Sequence, residues 1–373
     1  MLSFFVSIQY KISINNYVIT YISSFFVHRM RKRILILFLI TSTIGFAQVG
    51  GERIFNFLNV STSARQSALG GETLTLINDI NQPLWNPSLI NVELDNQASL
   101  SYVDFLADIS YGSFSIAHLF NRRLGTIHAG VTYVNYGKFI AADEDGTETG
   151  TFKARDLAFQ VGYSYTLPWE GFVVGANLKF ISSSIENFTS GGIAADIGLT
   201  YYNEFKPYIF TAVIRNVGYQ TDAFDEVREK LPLEIAFGAS YRLENVPLQW
   251  HLTINNLQKW NVSVENPSDS QTTIGGDTTN DKITFLDNTF RHLVIGAEFF
   301  PDKGFNLRLG YNFRRGRELR LTESRSFSGI TAGFGLKMGR LKFNYAFSKF
   351  HPASNTNTFS LNIDLAKTGL KKY

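Results

Sequence analysis

Phe305-Asn306-Leu307-Arg308-Leu309-Gly310-Tyr311-Asn312-Phe313 decides how this chain is read. Every second residue (Phe305, Leu307, Leu309, Tyr311, Phe313) is large and apolar. Those between (Asn306, Arg308, Gly310, Asn312) are polar, cationic or tiny. A period of two puts the two sets on opposite faces of a β-strand, in two different surroundings. A soluble sandwich also alternates. The decision rests on how often the pattern recurs, how long it runs and what stands at its ends.

It recurs fourteen times, at about 97–105, 110–119, 125–135, 154–166, 171–182, 192–202, 207–216, 232–243, 246–256, 289–300, 304–314, 327–338, 340–349 and 356–366. Each run approaches the ~9–11 residues that a tilted strand needs to cross a bilayer. Leu233, Ile235, Phe237, Ala239 and Tyr241, for example, alternate with Glu234, Ala236, Gly238, Ser240 and Arg242. The charges within the runs, Glu234, Arg308, Lys342 and Asp364, fall on the polar face, which would be the lumen of a barrel. Arg or Lys turned toward lipid at mid-depth costs ~2–4 kcal/mol. Tyr133, Tyr136, Tyr165, Trp169, Tyr201, Tyr202, Tyr241 and Tyr311 gather near the ends of runs, where an interfacial girdle belongs.

Connections after even-numbered runs are short: 120–124, 167–170, 203–206, 244–245, 301–303 and 339. Those after odd-numbered runs are mostly long: 136–153, 217–231, 257–288, 315–326 and 350–355, with 106–109 and 183–191 less decisive. A transmembrane barrel has short periplasmic turns and long outer loops. An even count brings both barrel termini to the periplasm, and closure pairs every strand edge, as lipid demands. The expected fold is therefore all-β: a 14-stranded antiparallel transmembrane β-barrel over 97–366. The rival, an extracellular repeat β-protein, explains neither the charge-free apolar face nor the loop asymmetry.

Composition agrees. Aromatics make up 14% of the 373 residues and charged residues only 18%, rich in strand formers and light in charge for a soluble chain. The absence of Cys excludes disulfides, thiolate metal sites and a lipid anchor on cysteine. The formal charge of +3 misleads. Five basic residues and no acid lie in 1–47, leaving 30 basic against 32 acidic residues beyond, a net of −2 with no bulk attraction for nucleic acid.

Met30-Arg31-Lys32-Arg33, the apolar run Ile34 to Ile40 and Gly45-Phe46-Ala47 have the layout of a cleaved signal peptide over 30–47. The apolar run is too short for a membrane helix, which needs ~20 residues. Residues 1–29 fit no targeting pattern and read as lying upstream of the true start at Met30. Residues 48–96 are irregular: Ile54 to Leu58 suits a short strand, and Ser61 to Leu69 a small helix ending on Gly70-Gly71. A turn-rich stretch with Trp85 follows. Too small to bury a core alone, this segment is expected to plug the barrel, with Arg65 and Trp85 as plug residues and Leu84, Trp85, Leu89 and Ile90 needing burial. Residues 367–373 would be a periplasmic tail.

No catalytic pattern emerges. His28, His118, His128, His251, His292 and His351 form no metal motif, although His118 and His128 flank one turn. Lys367-Thr368-Gly369 lacks the Ser-x-x-Lys and Ser-Asp-Asn that would make it a penicillin-binding box. Asp143-Glu144-Asp145-Gly146 lacks EF-hand spacing and reads as a solvated loop tip. Gly70-Gly71 and Gly191-Gly192 lack the context of phosphate loops. No enzyme activity and no cofactor are expected. Loops 136–153 (Asp143, Glu144) and 257–288 (Trp260, Val262) are the candidates for partner contact, with Trp260 equally readable as an interfacial anchor.

Phe55-x-Phe57-Leu58, Ser63-Ala64-Arg65-Gln66-Ser67-Ala68-Leu69-Gly70-Gly71 and Asn86-Pro87-Ser88-Leu89 together resemble the PorQ/PorV group of type IX secretion outer-membrane proteins. The Gly50-Gly51 start, the overall length and the Ser-Ala-Arg-Gln-Ser-Ala wording look closer to the PorQ branch. The resemblance spans the mature chain in layout, a plug followed by fourteen strands as in FadL-type barrels. It implies a non-enzymatic part of the cell-surface attachment complex, the membrane base for a PorZ-like surface protein. PorU and PorV would belong to the wider complex, and lipopolysaccharide contact is implied as possible. Two alternatives stay open: a FadL-like transporter of hydrophobic molecules, which wants an apolar lumen, and a PorV-like cargo shuttle.

Overall fold

The computed structural model describes residues 53–121, 125–263, 271–272, 278–279, 284–319, 328–351 and 354–365. The start and export segments read at 1–47, the polar run toward Asp281 and the tail 367–373 lie outside them.

Fourteen antiparallel strands close into a barrel. They are β1 (Gln97–Asp104), β2 (Ser110–Asn121), β3 (Gly125–Ala142), β4 (Glu148–Thr166), β5 (Phe172–Ile185), β6 (Phe188–Tyr202) and β7 (Tyr208–Asp222). They continue as β8 (Glu234–Arg242), β9 (Leu248–Ile254), β12 (Leu293–Phe299), β13 (Phe305–Asn312), β14 (Ile330–Met338), β15 (Leu341–His351) and β16 (Ser354–Asp364). β10 (Gln271–Thr272) and β11 (Thr278–Thr279) pair only with each other. Each barrel strand pairs with its sequence neighbours, and β1 closes on β16 with Gln97 opposite Asp364. Both barrel termini therefore share one end, the end of the short turns. Among the described residues no helix is long and apolar enough to cross a membrane; the strands do the crossing.

The outer face is an apolar band. Leu309 is 53% exposed and Phe180 48%, whereas Arg308 and Lys179, one residue away, are 1% and 2% exposed. Exposed apolar surface on this scale needs hydrocarbon around it. The chain folds as an outer-membrane-type β-barrel.

Residues 53–96 descend through the lumen. Arg53 bridges Lys230 in the β7–β8 connection, at the long-loop end. Phe55 and Phe57 pack with Val103, Val134 and Leu231. The helix Ala64–Ala68 is entirely buried and lies against β13 to β16. It stops because Gly70 (φ +98°) and Gly71 (φ +91°) take left-handed backbone that a side chain would disfavour. Short 3-10 turns at Gln82–Leu84, Pro87–Leu89 and Val92–Leu94 carry the chain to β1 at the other end.

Inward-facing glycines make room for this path. A Cβ on Gly175 would sit 2.3–2.4 Å from the Pro87 carbonyl carbon and oxygen. One on Gly310 would meet the Leu69 carbonyl carbon and the Gly70 nitrogen at 2.3–2.4 Å. The plug backbone rests directly on the wall backbone.

Three expectations change. Ile54 to Leu58 is not a strand: Phe55 takes φ +61°, and Asn56–Asn59 forms a 3-10 turn that satisfies its own backbone. The loops 136–153 and 183–191 are mostly strand, with turns only at about 143–147 and 186–187, so the long-loop end projects as hairpins. In the aromatic girdle, Tyr136 belongs to the interior, its hydroxyl donating to Asp156 Oδ2 at 2.6 Å, and Tyr202 lines the short-turn mouth.

Candidate functional site

Two buried charge networks join plug and wall. Glu298 on β12 and Arg308 on β13 are direct cross-strand partners, with Arg308 Nε donating to Glu298 Oε1 at 2.7 Å. Arg65 of the plug donates to the same carboxylate, through Nη2 to Oε2 at 2.7 Å and Nε to Oε1 at 3.1 Å. One carboxylate thus serves two guanidinium groups, and Asp79, 3.7 Å from Arg65 Nη1, supplies the second negative charge. Arg308 also donates to Asn344 Oδ1 and Asn306 Oδ1. Burial works to lower the Arg65 pKa, but the charges of Glu298 and Asp79 outweigh it and hold the pKa above the ordinary arginine value. Arg65 stays a cation.

Farther round the wall, Arg215 on β7 pairs with Glu234 on β8 at 2.7 Å, and Lys179 on β5 with Asp196 on β6 at 2.8 Å. All four charges come from the wall. The plug meets them with neutral groups. The Leu58 carbonyl accepts from Arg215 Nη2 at 2.7 Å, Asn59 Oδ1 accepts from Asn216 at 3.0 Å, and the Trp85 ring centre lies 3.7 Å from the Arg215 guanidinium carbon. A bulge in β7 permits this. The register slips between Ala195 and Ile197, Asn216 takes φ +58°, and Arg215 and Asn216 are buried one after the other.

Of the lumen-facing residues expected from sequence, Glu234 and Arg308 lie in these networks. Lys342 is half-buried and lines a cleft at the short-turn end. Asp364 is the last residue of β16 and stands at the mouth, not at mid-strand. Arg65 and Trp85 are buried in the plug. Glu298, Lys179, Asp196 and Arg215 were not singled out from sequence. Glu298, Lys179 and Asp196 sit on the small or polar face of their alternating runs, the one signal that marked them, whereas Arg215 shares its inward face with Ile209 and Val213.

At the long-loop end, Asp143 and Glu144 are exposed at the tip of the β3–β4 hairpin. Asp143 Oδ1 closes that turn by accepting from the Thr147 N–H at 2.8 Å. Trp260 is half-exposed and stacks on Phe285 and His292. Val262 is a correction: it is only 6% exposed, so it offers no contact surface. Asn288 turns it inward by accepting from the Val262 N–H and donating to the Trp260 carbonyl. Phe285, Leu286 and Phe290 of the helix Phe285–Arg291 are exposed beside Trp260. That helix is tied to the helix Phe313–Glu318 by Arg317–Asp287 and Arg291–Glu318 ion pairs. His118 and His128 lie on opposite faces of the wall, His118 exposed and His128 buried. Among the described residues no cluster of His, Asp or Glu is placed to hold a metal.

The plug leaves clefts of about 530 and 730 Å³ at the short-turn end and one of about 240 Å³ at the long-loop end.

No family model and no curated protein matches the chain. Solved structures similar in layout include the Ralstonia pickettii toluene transporter TbuX, at 12% identity over 84% of this chain and 100% of that one (TM-score 0.49). The TodX monoaromatic hydrocarbon channel deltaS2 mutant is similar at 13% identity over 83% and 98% (TM-score 0.48). A Pseudomonas aeruginosa FadL homologue is similar at 10% identity over 82% and 98% (TM-score 0.45).

Proposed function

We propose that this protein is a plugged outer-membrane barrel serving as the membrane base for a surface partner, in a PorQ-like role within type IX secretion. The observation that carries the reading is the mid-lumen clamp of Arg65, Glu298 and Arg308. It fills the centre of the barrel with ion-paired polar groups where a conduit for hydrophobic molecules wants an apolar path. With the lumen committed to structure, the surface available for recognition is the long-loop end, where the β3–β4 hairpin and the Trp260–Phe285–Leu286–Phe290 ledge project. The role is non-enzymatic. The expected partner is a PorZ-like surface protein, with PorU and PorV in the wider assembly and lipopolysaccharide as a possible further contact.

Affinity purification of the tagged, full-length protein from detergent-extracted outer membranes tests this. The PorZ-like protein is expected to co-purify, and deletion of the barrel should release it from the cell surface. A bound fatty acid with no protein partner would overturn the reading in favour of transport. Loss of cargo delivery with the PorZ-like protein still at the surface would point to a cargo shuttle.

A further inference from the structure

The 530 Å³ cleft at the short-turn end collects cations. Lys206, Arg242, Lys303, Lys337, Arg340 and Lys342 line it, together with Arg65 of the plug; the acids in the lining are Glu204, Asp302 and Asp364. The chain beyond residue 47 carries two more acids than bases, so this excess is local. The neighbouring cleft is lined by Glu93 and Glu204 with no Lys or Arg, and the cleft at the other end sets three glutamates against two arginines.

Part of the excess is already answered. Arg242 pairs with Asp302, and Arg65 with Glu298 and Asp79. Lys206, Lys303, Lys337, Arg340 and Lys342 make no ion pair among the described residues. Two of them, Lys337 on β14 and Lys342 on β15, are direct cross-strand partners. Like charges placed opposite each other on one sheet face repel. Both lie on the inner face, sharing it with Gly335 and Asn344, so lipid headgroups outside the wall do not neutralise them. Low-dielectric walls around a cleft with an excess of one sign focus its field and concentrate counter-ions.

We propose that this cleft binds a small water-soluble polyanion carrying phosphate or carboxylate groups, held across the Lys337–Lys342 pair with Arg340 and Lys303 at the rim. The volume falls within the ~300–1,000 Å³ of small-molecule sites. The inference is independent of the surface-partner reading, which concerns the opposite end.

Calorimetric titration of the purified full-length protein in detergent with inorganic pyrophosphate tests it. Saturable one-to-one binding is expected, weakening steeply as salt rises. Lys342→Gln should weaken it at least tenfold and Lys337→Gln comparably, while Lys153→Gln at the long-loop end leaves it unchanged. Pyrophosphate should also raise the unfolding temperature of the wild-type barrel but not that of Lys342→Gln. Citrate binding more tightly than pyrophosphate would support the same site with carboxylate as the group held. No saturable binding, or equal affinity in wild type, Lys342→Gln and Lys337→Gln, would overturn it.

Discussion

The two sides of the lumen hold the plug by different means. On the β12–β13 side the plug contributes a charge: Arg65 shares Glu298 with Arg308. On the β5–β8 side the wall neutralises itself, through Arg215–Glu234 and Lys179–Asp196, and the plug brings a carbonyl, an amide and the face of Trp85. The first contact is a clamp, because removing the plug would strip the wall carboxylate Glu298 of one of its two guanidinium partners. The second is a fitted bed, because its charges stay paired whether or not the plug is present.

The largest effect should come from Glu298→Ala. It leaves two buried guanidinium groups facing each other, and breaking such a buried pair costs ~3–5 kcal/mol. Denaturant unfolding of the purified barrel, followed by heat-modifiable gel mobility, reads this loss. Arg215→Met combined with Glu234→Leu removes a pair from the self-neutral side altogether. Replacing a buried ion pair with apolar groups is often near neutral, so stability should shift by less than ~1.5 kcal/mol. Limited proteolysis sharpens the contrast. Arg65→Met should speed cleavage within 53–96 while the barrel resists, and the double substitution should not. Equal plug cleavage in both would break the distinction between clamp and bed.

Glycine seats come next. Gly175→Ala drives a methyl into the Pro87 backbone and should destabilise by ~1–3 kcal/mol, as overpacking does. Gly112→Ala, whose nearest neighbour would be the Ser101 carbonyl at 4.0 Å, should stay within about 0.5 kcal/mol of wild type in the same assay. Among the side-chain truncations the smallest effect on stability belongs to Trp260→Ala, expected to lose less than ~1 kcal/mol because half the ring already meets solvent. Its consequence should appear in the yield of co-purified surface partner.

The wall was legible because lipid outside and polar groups inside impose opposite demands on successive residues, and Phe305 to Phe313 records both. Where that contrast ends, the reading failed. Residues 148–151 at the start of β4 are exposed, so strand there lacks a two-residue rhythm and looks like loop. Arg308's direction could be read, but its partner could not: alternation fixes a face, whereas pairing with Glu298 depends on register. The plug was legible only in outline. Its 3-10 turns have no period, and its fit depends on glycines such as Gly175 and Gly310 in strands far along the chain. Arg215 and Asn216 are buried in succession by a bulge, which a strict alternation excludes.

Arg53 meets Lys230 at one mouth and Gln97 opens β1 at the other, so the segment between them is threaded like a cord through a ring. A cord fixed this way cannot be dropped in from the side where the strands start without its free end travelling the whole bore. Winding the sheet around residues 53–96 before the β1–β16 seam is sewn would spare that passage and make those residues the mandrel of the cylinder.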